Sequence, residues 1–169
     1  MEPNKSDFLE VLLRIFEQQR SQGEKTLAQI SEADVHWVPD PESNSIAVIV
    51  QHLHGNMLSR FTDFLTTDGE KPARQRDEEF VEHTRSLEEL KRLWLEGWHR
   101  VFETVRELTS EDLAKHVSLR GTPLTVMDAL LRAMNHFAYH VGQIVYLGKS
   151  RKGSEWKTLS IPKPGVRDP

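Results

Sequence analysis

Four segments of the chain place apolar residues every three or four positions, the spacing that is typical of amphipathic helices. These segments run from about Ser6 to Ile30, Ser45 to Thr67, Ser86 to Leu108 and Thr125 to Lys149. No segment shows a convincing strand pattern. We therefore predict an all-α fold, a four-helix bundle. Two of its connections are long, so we expect crossover connections rather than a simple up-down-up-down order.

The ends of these segments carry capping and turn residues. Ser45 is a candidate N-cap, and Ser86 forms a capping box with Glu89 three residues later. An Asp-Gly turn should end the second helix. The polar stretch 70–85 then predicts a long surface crossover, of the kind that often covers a functional site. We interpret the charged residues at 74–79 within it as solvated.

The length of the chain favours one domain. A chain of 169 residues can bury a substantial core without disulfides or structural metals. We expect residues 1–150 to form the bundle. Residues 151–169 contain three prolines and should form an extended tail, with Trp156 packed onto the bundle.

Composition excludes several classes of protein. The net charge is −4 and the two signs are mixed along the chain, so the basic surface typical of nucleic-acid binding is missing. No apolar stretch approaches the length of a membrane span, and the N-terminus lacks the apolar region of a signal peptide. Cysteine is absent, which removes disulfides and thiolate ligands. We expect a cytoplasmic protein with neither membrane nor nucleic acid as a partner.

The fourth helical segment contains two histidines four residues apart, His136 and His140. At this spacing two imidazoles lie one above the other and can bind one divalent metal ion. At about 100° per residue, His140 lies roughly 55° and His136 about 95° from the centre of the apolar stripe, on the same side. Gln143 lies one turn beyond His140 and could orient its ring. A third histidine from another helix would complete a three-ligand site with an open position.

The second helical segment offers two candidates for that third ligand, His52 and His54. Helical periodicity places His54 about 50° and His52 about 150° from the centre of the apolar stripe, which favours His54. Val48, one turn before His52, shows apolar character on the other side as well, so periodicity leaves both open. The remaining histidines are interpreted as surface or loop residues, although His36 in the first connection could line the mouth of a site.

Three stretches of the sequence resemble the DinB/YfiT-like superfamily of bacterial four-helix-bundle proteins. The segment 44–54 resembles its second helix, an apolar run followed by His-Leu, and 136–143 resembles its last helix, with paired histidines before Gly-Gln. The connection 34–39 matches the place where members often have an acidic residue, a tryptophan and a proline. The resemblance covers most of residues 6–150. Within this superfamily the chain is most similar to an uncharacterised branch. The tails of that branch carry a Trp and a Ser-Ile-Pro, as this chain does at Trp156 and residues 160–162.

The resemblance implies a site in which His52, His136 and His140 bind nickel, zinc, iron or manganese. It thus selects His52 where periodicity favours His54. Some similar proteins are low-molecular-weight-thiol transferases, so it also implies a metal-dependent S-transferase that uses an external thiol and acts on a small-molecule substrate. A metal-dependent hydrolase and a non-enzymatic, stress-associated metal-binding bundle are the alternatives. Proteins of this kind commonly form homodimers, which we expect here too.

Overall fold

The computed structural model describes residues 7–162 and residue 164, and this part of the chain is mostly helical. It contains four long helices and one short one: α1 (Asp7–Leu27), α2 (Glu32–Val35), α3 (Ile46–Phe61), α4 (Leu87–Glu107) and α5 (Val126–Lys152). Single 3₁₀ turns lie at Asp77–Phe80, Ser110–Ala114 and Gly153–Glu155. None of the described helices is apolar over a length that could cross a membrane.

Three of the long helices begin at side chains that satisfy their free amide groups. Ser45 accepts a hydrogen bond from the amide of Val48 (3.1 Å). Ser86 and Glu89 form the reciprocal capping box that the sequence predicts. Thr125 caps α5 in the same way as Ser45 caps α3. These predicted helix starts are confirmed, whereas the predicted start of the first helix at Ser6 lies outside the described residues.

Helix α3 ends at Phe61, earlier than the predicted end at Thr67. Thr62 adopts an extended conformation and Asp63 has a φ of 48°, in the left-handed region that ends a helix. Phe64 nevertheless stacks on Phe61, with ring centroids 5.5 Å apart. The apolar spacing therefore continues beyond the end of the helix, because the loop residue Phe64 packs where the next helical turn would have placed a core residue.

A small antiparallel sheet lies before α5, where the sequence predicts only a connection. Strand β1 (His116–Leu119) pairs with β2 (Thr122–Thr125), with Leu119 opposite Thr122. Arg120 and Gly121 both have positive φ, as the tight turn of a two-residue hairpin requires. The prediction of no strand is wrong here, because four-residue strands are too short to display an alternating pattern.

The core lies between the four long helices. Helix α1 packs against α4 and α5, and α3 packs against the same two helices. Phe16, Trp98 and Phe137 meet in the middle, with ring centroids 5.3–5.9 Å apart. Helix α3 is buried around most of its circumference, since its buried residues include consecutive positions from Ile46 to Leu53. It is therefore the central helix, and side chains on several of its faces meet protein.

The segment after the last helix partly follows the prediction. Trp156 is 7% exposed and packs close to Gly148, as predicted. Helix α5 extends to Lys152, so the first residues assigned to the tail are helical. Residues 163 and 165–169, the rest of the predicted tail, lie outside the described part of the chain.

Candidate metal centre

The structure brings together the three histidines that the resemblance indicates. His52 comes from α3, and His136 and His140 come from consecutive turns of α5. One ring nitrogen from each lies within 4.8 Å of the others, and Nε2 of His52 lies 3.1 Å from Nε2 of His136. Nitrogens that share an ion at about 2.0–2.1 Å are themselves about 3.0–3.4 Å apart. The cluster could therefore hold a metal ion.

Hydrogen bonds orient two of these rings. Nδ1 of His52 donates to Oε2 of Glu79 (2.9 Å), and Nδ1 of His140 donates to Oε1 of Gln143 (2.7 Å). Each bond occupies Nδ1 and leaves Nε2 as the nitrogen that could bind a metal ion, the arrangement that metal-ligating histidines typically have. The predicted position of Gln143 beside His140 is confirmed.

Burial favours the unprotonated, metal-binding form of two of the three imidazoles. Burial lowers the pKa of His136 to about 3, and the neighbouring imidazoles contribute in the same direction. Burial also lowers the pKa of His140. Burial alone would raise the pKa of Glu79, but hydrogen bonds from Arg74 and His52 lower it overall. At neutral pH the structure thus combines unprotonated imidazoles at His136 and His140 with an ionised carboxylate at Glu79.

Glu79 is itself held by a buried arginine. Nε and Nη2 of Arg74 donate to the two carboxylate oxygens of Glu79, each at 2.7 Å, and the Arg74 side chain is only 5% exposed. Nε2 of Gln51 donates to three carbonyls of this segment and fastens it to α3. The interpretation of residues 74–79 as a solvated charge run is therefore wrong for Arg74 and Glu79.

A glycine makes room for the Glu79 carboxylate. Gly55 lies on α3 one turn after His52, and a Cβ atom built on it would come within 2.1 Å of Oε1 of Glu79. No larger residue fits there unless the carboxylate moves. The short contact explains why helix α3 contains a glycine next to its histidines, despite the cost of glycine in a helix.

His54 lies outside the cluster, on the side of α3 that faces α4. Its Nε2 is 3.3 Å from Oε2 of Glu96, and its side chain is 19% exposed. The periodicity that favours His54 over His52 as the inward residue is misleading because α3 has protein on several sides. His36 is also remote from the cluster: its Nδ1 lies 2.6 Å from Glu82, and its Nε2 lies 2.9 Å from the carbonyl of Arg85.

The three histidines line one end of a cavity of about 370 Å³. Its walls are largely apolar, and the ring of Phe80 lies 4.6 Å from that of His52. Five arginines also line it: Arg60, Arg74, Arg76, Arg120 and Arg132. The crossover 70–85 supplies Arg74, Arg76 and Phe80, so it covers the site as its length and polarity predict. The small sheet, which the sequence does not reveal, supplies part of the opposite wall.

Fold and site together define a helical protein in which two buried histidines and one partly buried histidine line a cavity between helices and a covering crossover. The chain belongs to the family described as protein of unknown function DUF1572, whose model matches residues 4–165. No curated protein matches the chain. The family match therefore spans the four long helices, the three histidines and Glu79.

Proposed function

We propose that the chain is a metal-dependent enzyme of the DinB-like superfamily, built as a four-helix bundle. In this proposal His52, His136 and His140 hold one divalent ion, and nickel, zinc, iron and manganese are the candidates. The observation that carries it is the convergence of three imidazoles at the end of a cavity large enough for a small molecule. Three protein ligands beside an accessible space are typical of catalytic rather than structural sites.

A bound ion would supply Lewis acidity and would lower the pKa of a thiol or water that reaches it from the cavity. The residues of the chain have supporting roles. Glu79 fixes the His52 ring, Gln143 fixes the His140 ring, and Arg74 keeps Glu79 ionised in its buried position. Phe80 and the other apolar side chains of the walls provide a surface for the apolar part of a bound molecule.

Thiol transfer is the reaction we favour. The chain has no cysteine, so the sulfur would come from an external low-molecular-weight thiol. That sulfur would form a bond to an electrophilic carbon of the substrate, the leaving group would depart with its bonding electrons, and the thiol proton would pass to solvent. A hydrolase usually needs a general base near its water. No Asp or Glu is among the residues described as lining the cavity, which favours transfer over hydrolysis.

Elemental analysis tests the metal site directly. The protein is purified without chelator and without a histidine tag, as wild type, His140→Ala and His54→Ala. We expect about one divalent ion per chain in the wild type, none in His140→Ala, and full occupancy in His54→Ala. The far-ultraviolet circular dichroism of the three proteins should agree. Absence of metal from wild type, even after incubation with nickel or zinc, would refute the proposal.

A second assay tests the reaction. The metal-loaded protein is incubated with 1-chloro-2,4-dinitrobenzene and a panel of small thiols, and thioether formation is followed by absorbance. We expect turnover with at least one thiol that disappears in His140→Ala and persists in His54→Ala. A metal-loaded protein that hydrolyses esters but transfers no thiol would instead support the hydrolase.

A further inference from the structure

We propose that the cavity beside the histidines selects an organic anion, a molecule with an apolar body and a carboxylate, phosphate or sulfonate group. The inference rests on the proposed function in one respect only, that the anion is the substrate or the thiol of that site. The charge of the lining, its unpaired cationic atoms and its apolar walls support it separately.

The lining is cationic although the chain as a whole is acidic. Five arginines line the cavity, and no aspartate or glutamate is among its described lining residues. Three carboxylates outside the lining form ion pairs with these arginines. Glu70 is shared by Arg60, Arg74 and Arg120, while Glu79 and Asp77 each pair with one arginine. Five guanidinium groups matched by three carboxylates leave positive charge facing the cavity.

Arg60 carries part of this unmatched charge. Its Nη2 lies 3.3 Å from Glu70, but its buried Nη1 has no hydrogen-bond partner within residues 7–162. Burial lowers the pKa of Arg60, and the nearby charges of Arg74, Arg120 and Arg132 lower it further. Arginine still remains charged at neutral pH. A buried guanidinium donor without an acceptor is costly, so an anion in the cavity would relieve that cost.

Arg132 lies on the exposed side of the same cavity. It is part of helix α5, one turn before His136, and among the described residues it has no ion-pair partner. Its guanidinium is close enough to act on the charge of Arg60 and could pair with a ligand without giving up an ion pair with a described residue. Arg60 and Arg132 therefore offer the cavity one largely buried and one exposed donor, and their charges act on one another.

The apolar residues that line the cavity indicate what the uncharged part of the ligand should be. Apolar side chains from α3, the loop after it, the crossover, the sheet and α5 line the cavity: Phe61, Phe64, Phe80, Val117, Leu124 and Ala133. A small inorganic anion would leave these side chains in contact with water, whereas an aromatic or aliphatic anion would bury them. The lining thus favours an anion with an apolar body over free phosphate or sulfate.

Paired fluorescent probes test the charge requirement. The anion 8-anilinonaphthalene-1-sulfonate and the neutral N-phenyl-1-naphthylamine share their ring system and differ in the sulfonate. Both are titrated into wild type, Arg60→Gln, Arg132→Gln and the control Arg92→Gln, whose arginine is 67% exposed on α4 outside the cavity. We expect wild type to prefer the anion, and each cavity variant to bind it about tenfold more weakly with unchanged affinity for the neutral probe.

Several outcomes are decisive. Equal affinity of wild type and both cavity variants for the anion would overturn the proposal, as would an equal loss in Arg92→Gln. Since Arg60 is largely buried, Arg132→Gln carries the test if Arg60→Gln fails to fold. His140→Ala separates the two proposals: it should lose metal and keep arginine-dependent binding of the anion. A wild type without metal that still binds the anion through Arg132 would refute the metal site and leave the anion preference standing.

Discussion

His52 and His54 lie two residues apart on the same helix, yet they meet different surroundings. His52 is 5% exposed, and its two ring nitrogens face the buried Glu79 and the imidazole of His136. His54 faces α4, where its neighbour Glu96 is 48% exposed. Both rings are shielded from water, so burial alone does not distinguish them. A histidine that could bind a metal ion is therefore recognised by how many polar partners its ring has and by how firmly those partners fix the ring.

Exchanging each histidine for alanine is the strongest test of this difference. His52→Ala should abolish stoichiometric metal binding, because only the His136–His140 pair would remain. His54→Ala should retain about one ion per chain, since its ring does not reach the cluster. Metal content by mass spectrometry and zinc titration against a chromophoric competitor provide the measurement. Loss of metal from a folded His54→Ala protein would contradict the comparison.

The two carboxylate partners should differ in their contributions to stability. Glu79→Ala leaves Arg74 buried with only Glu70 as a partner, and removing one member of a buried ion pair costs about 3 kcal/mol. Glu96→Ala removes an exposed partner, which should cost less than about 1 kcal/mol. Urea unfolding of the metal-free proteins measures both. Similar costs for the two variants would show that Glu79 and Arg74 do not form the buried pair described here.

Two glycine substitutions test the role of Glu79 without changing any of the three histidines. Gly55→Ala should displace Glu79 and weaken metal binding about tenfold, the lower limit for loss of a partner behind a ligand. Gly142→Ala is the matched control, because a Cβ atom there meets nothing within 4 Å. It should leave metal affinity unchanged and stabilise α5 by up to about 1 kcal/mol. Equal metal affinity in Gly55→Ala and wild type would mean that Glu79 does not orient His52.

His36 is a third histidine to compare with His52 and His54. A carboxylate and a backbone carbonyl hold its ring near the protein surface. Burial alone would lower its pKa, but hydrogen bonds to Glu82 and to the carbonyl of Arg85 raise it above 6.5.

Because the pKa of His36 is raised on folding, protonated His36 stabilises the folded state fully below about pH 6.5. That stabilisation is lost as the pH rises through the folded-state pKa. The contribution of His36 to the free energy of unfolding should therefore fall between pH 6 and pH 8.5, by less than about 1 kcal/mol. The lowered pKa values of His136 and His140 act in the opposite direction, so the His36 contribution must be read from a difference between variants.

Urea unfolding at the two pH values measures the effect of His36. The stability advantage of wild type over His36→Gln should be smaller at pH 8.5 than at pH 6. The control is His99→Gln, because the His99 imidazole is 71% exposed and pairs only along its own helix with Glu103. An equal change in the free energy of unfolding with pH in wild type and in His36→Gln would show that the Glu82 pair does not stabilise the folded state through protonation.

The predictable parts of the fold depend on local interactions. Ser86 and Glu89 cap α4 through bonds that span three residues, so the sequence reveals them. The same is true of the His136–His140 pair and of Gln143. The sequence places the end of α3 too late, because the loop residue Phe64 continues the apolar spacing after the helix has ended. The sheet was missed because its pairing depends on a turn at Arg120 with positive φ, a conformation that arginine rarely adopts.

The less predictable parts of the site depend on distant contacts. Glu79 and His52 are separated by 27 residues, and charged residues next to one another in sequence resemble an ordinary solvated run. The partner of Glu79 is Arg74, five residues away, but burial of the pair follows from the packing of the crossover on α3. Periodicity failed to choose between His52 and His54 for a similar reason, since a helix surrounded by protein has no single apolar face.

The separation of the ligands along the chain has a consequence for how an ion would enter the protein. His52 and His136 are 84 residues apart and meet only when α3 and α5 have packed together. If these residues hold an ion, the complete set of ligands forms late, after α5 has been synthesised and docked. Retention of metal would then report correct tertiary assembly, and a variant that loosens α3 from α5 would release its ion before it loses its helices.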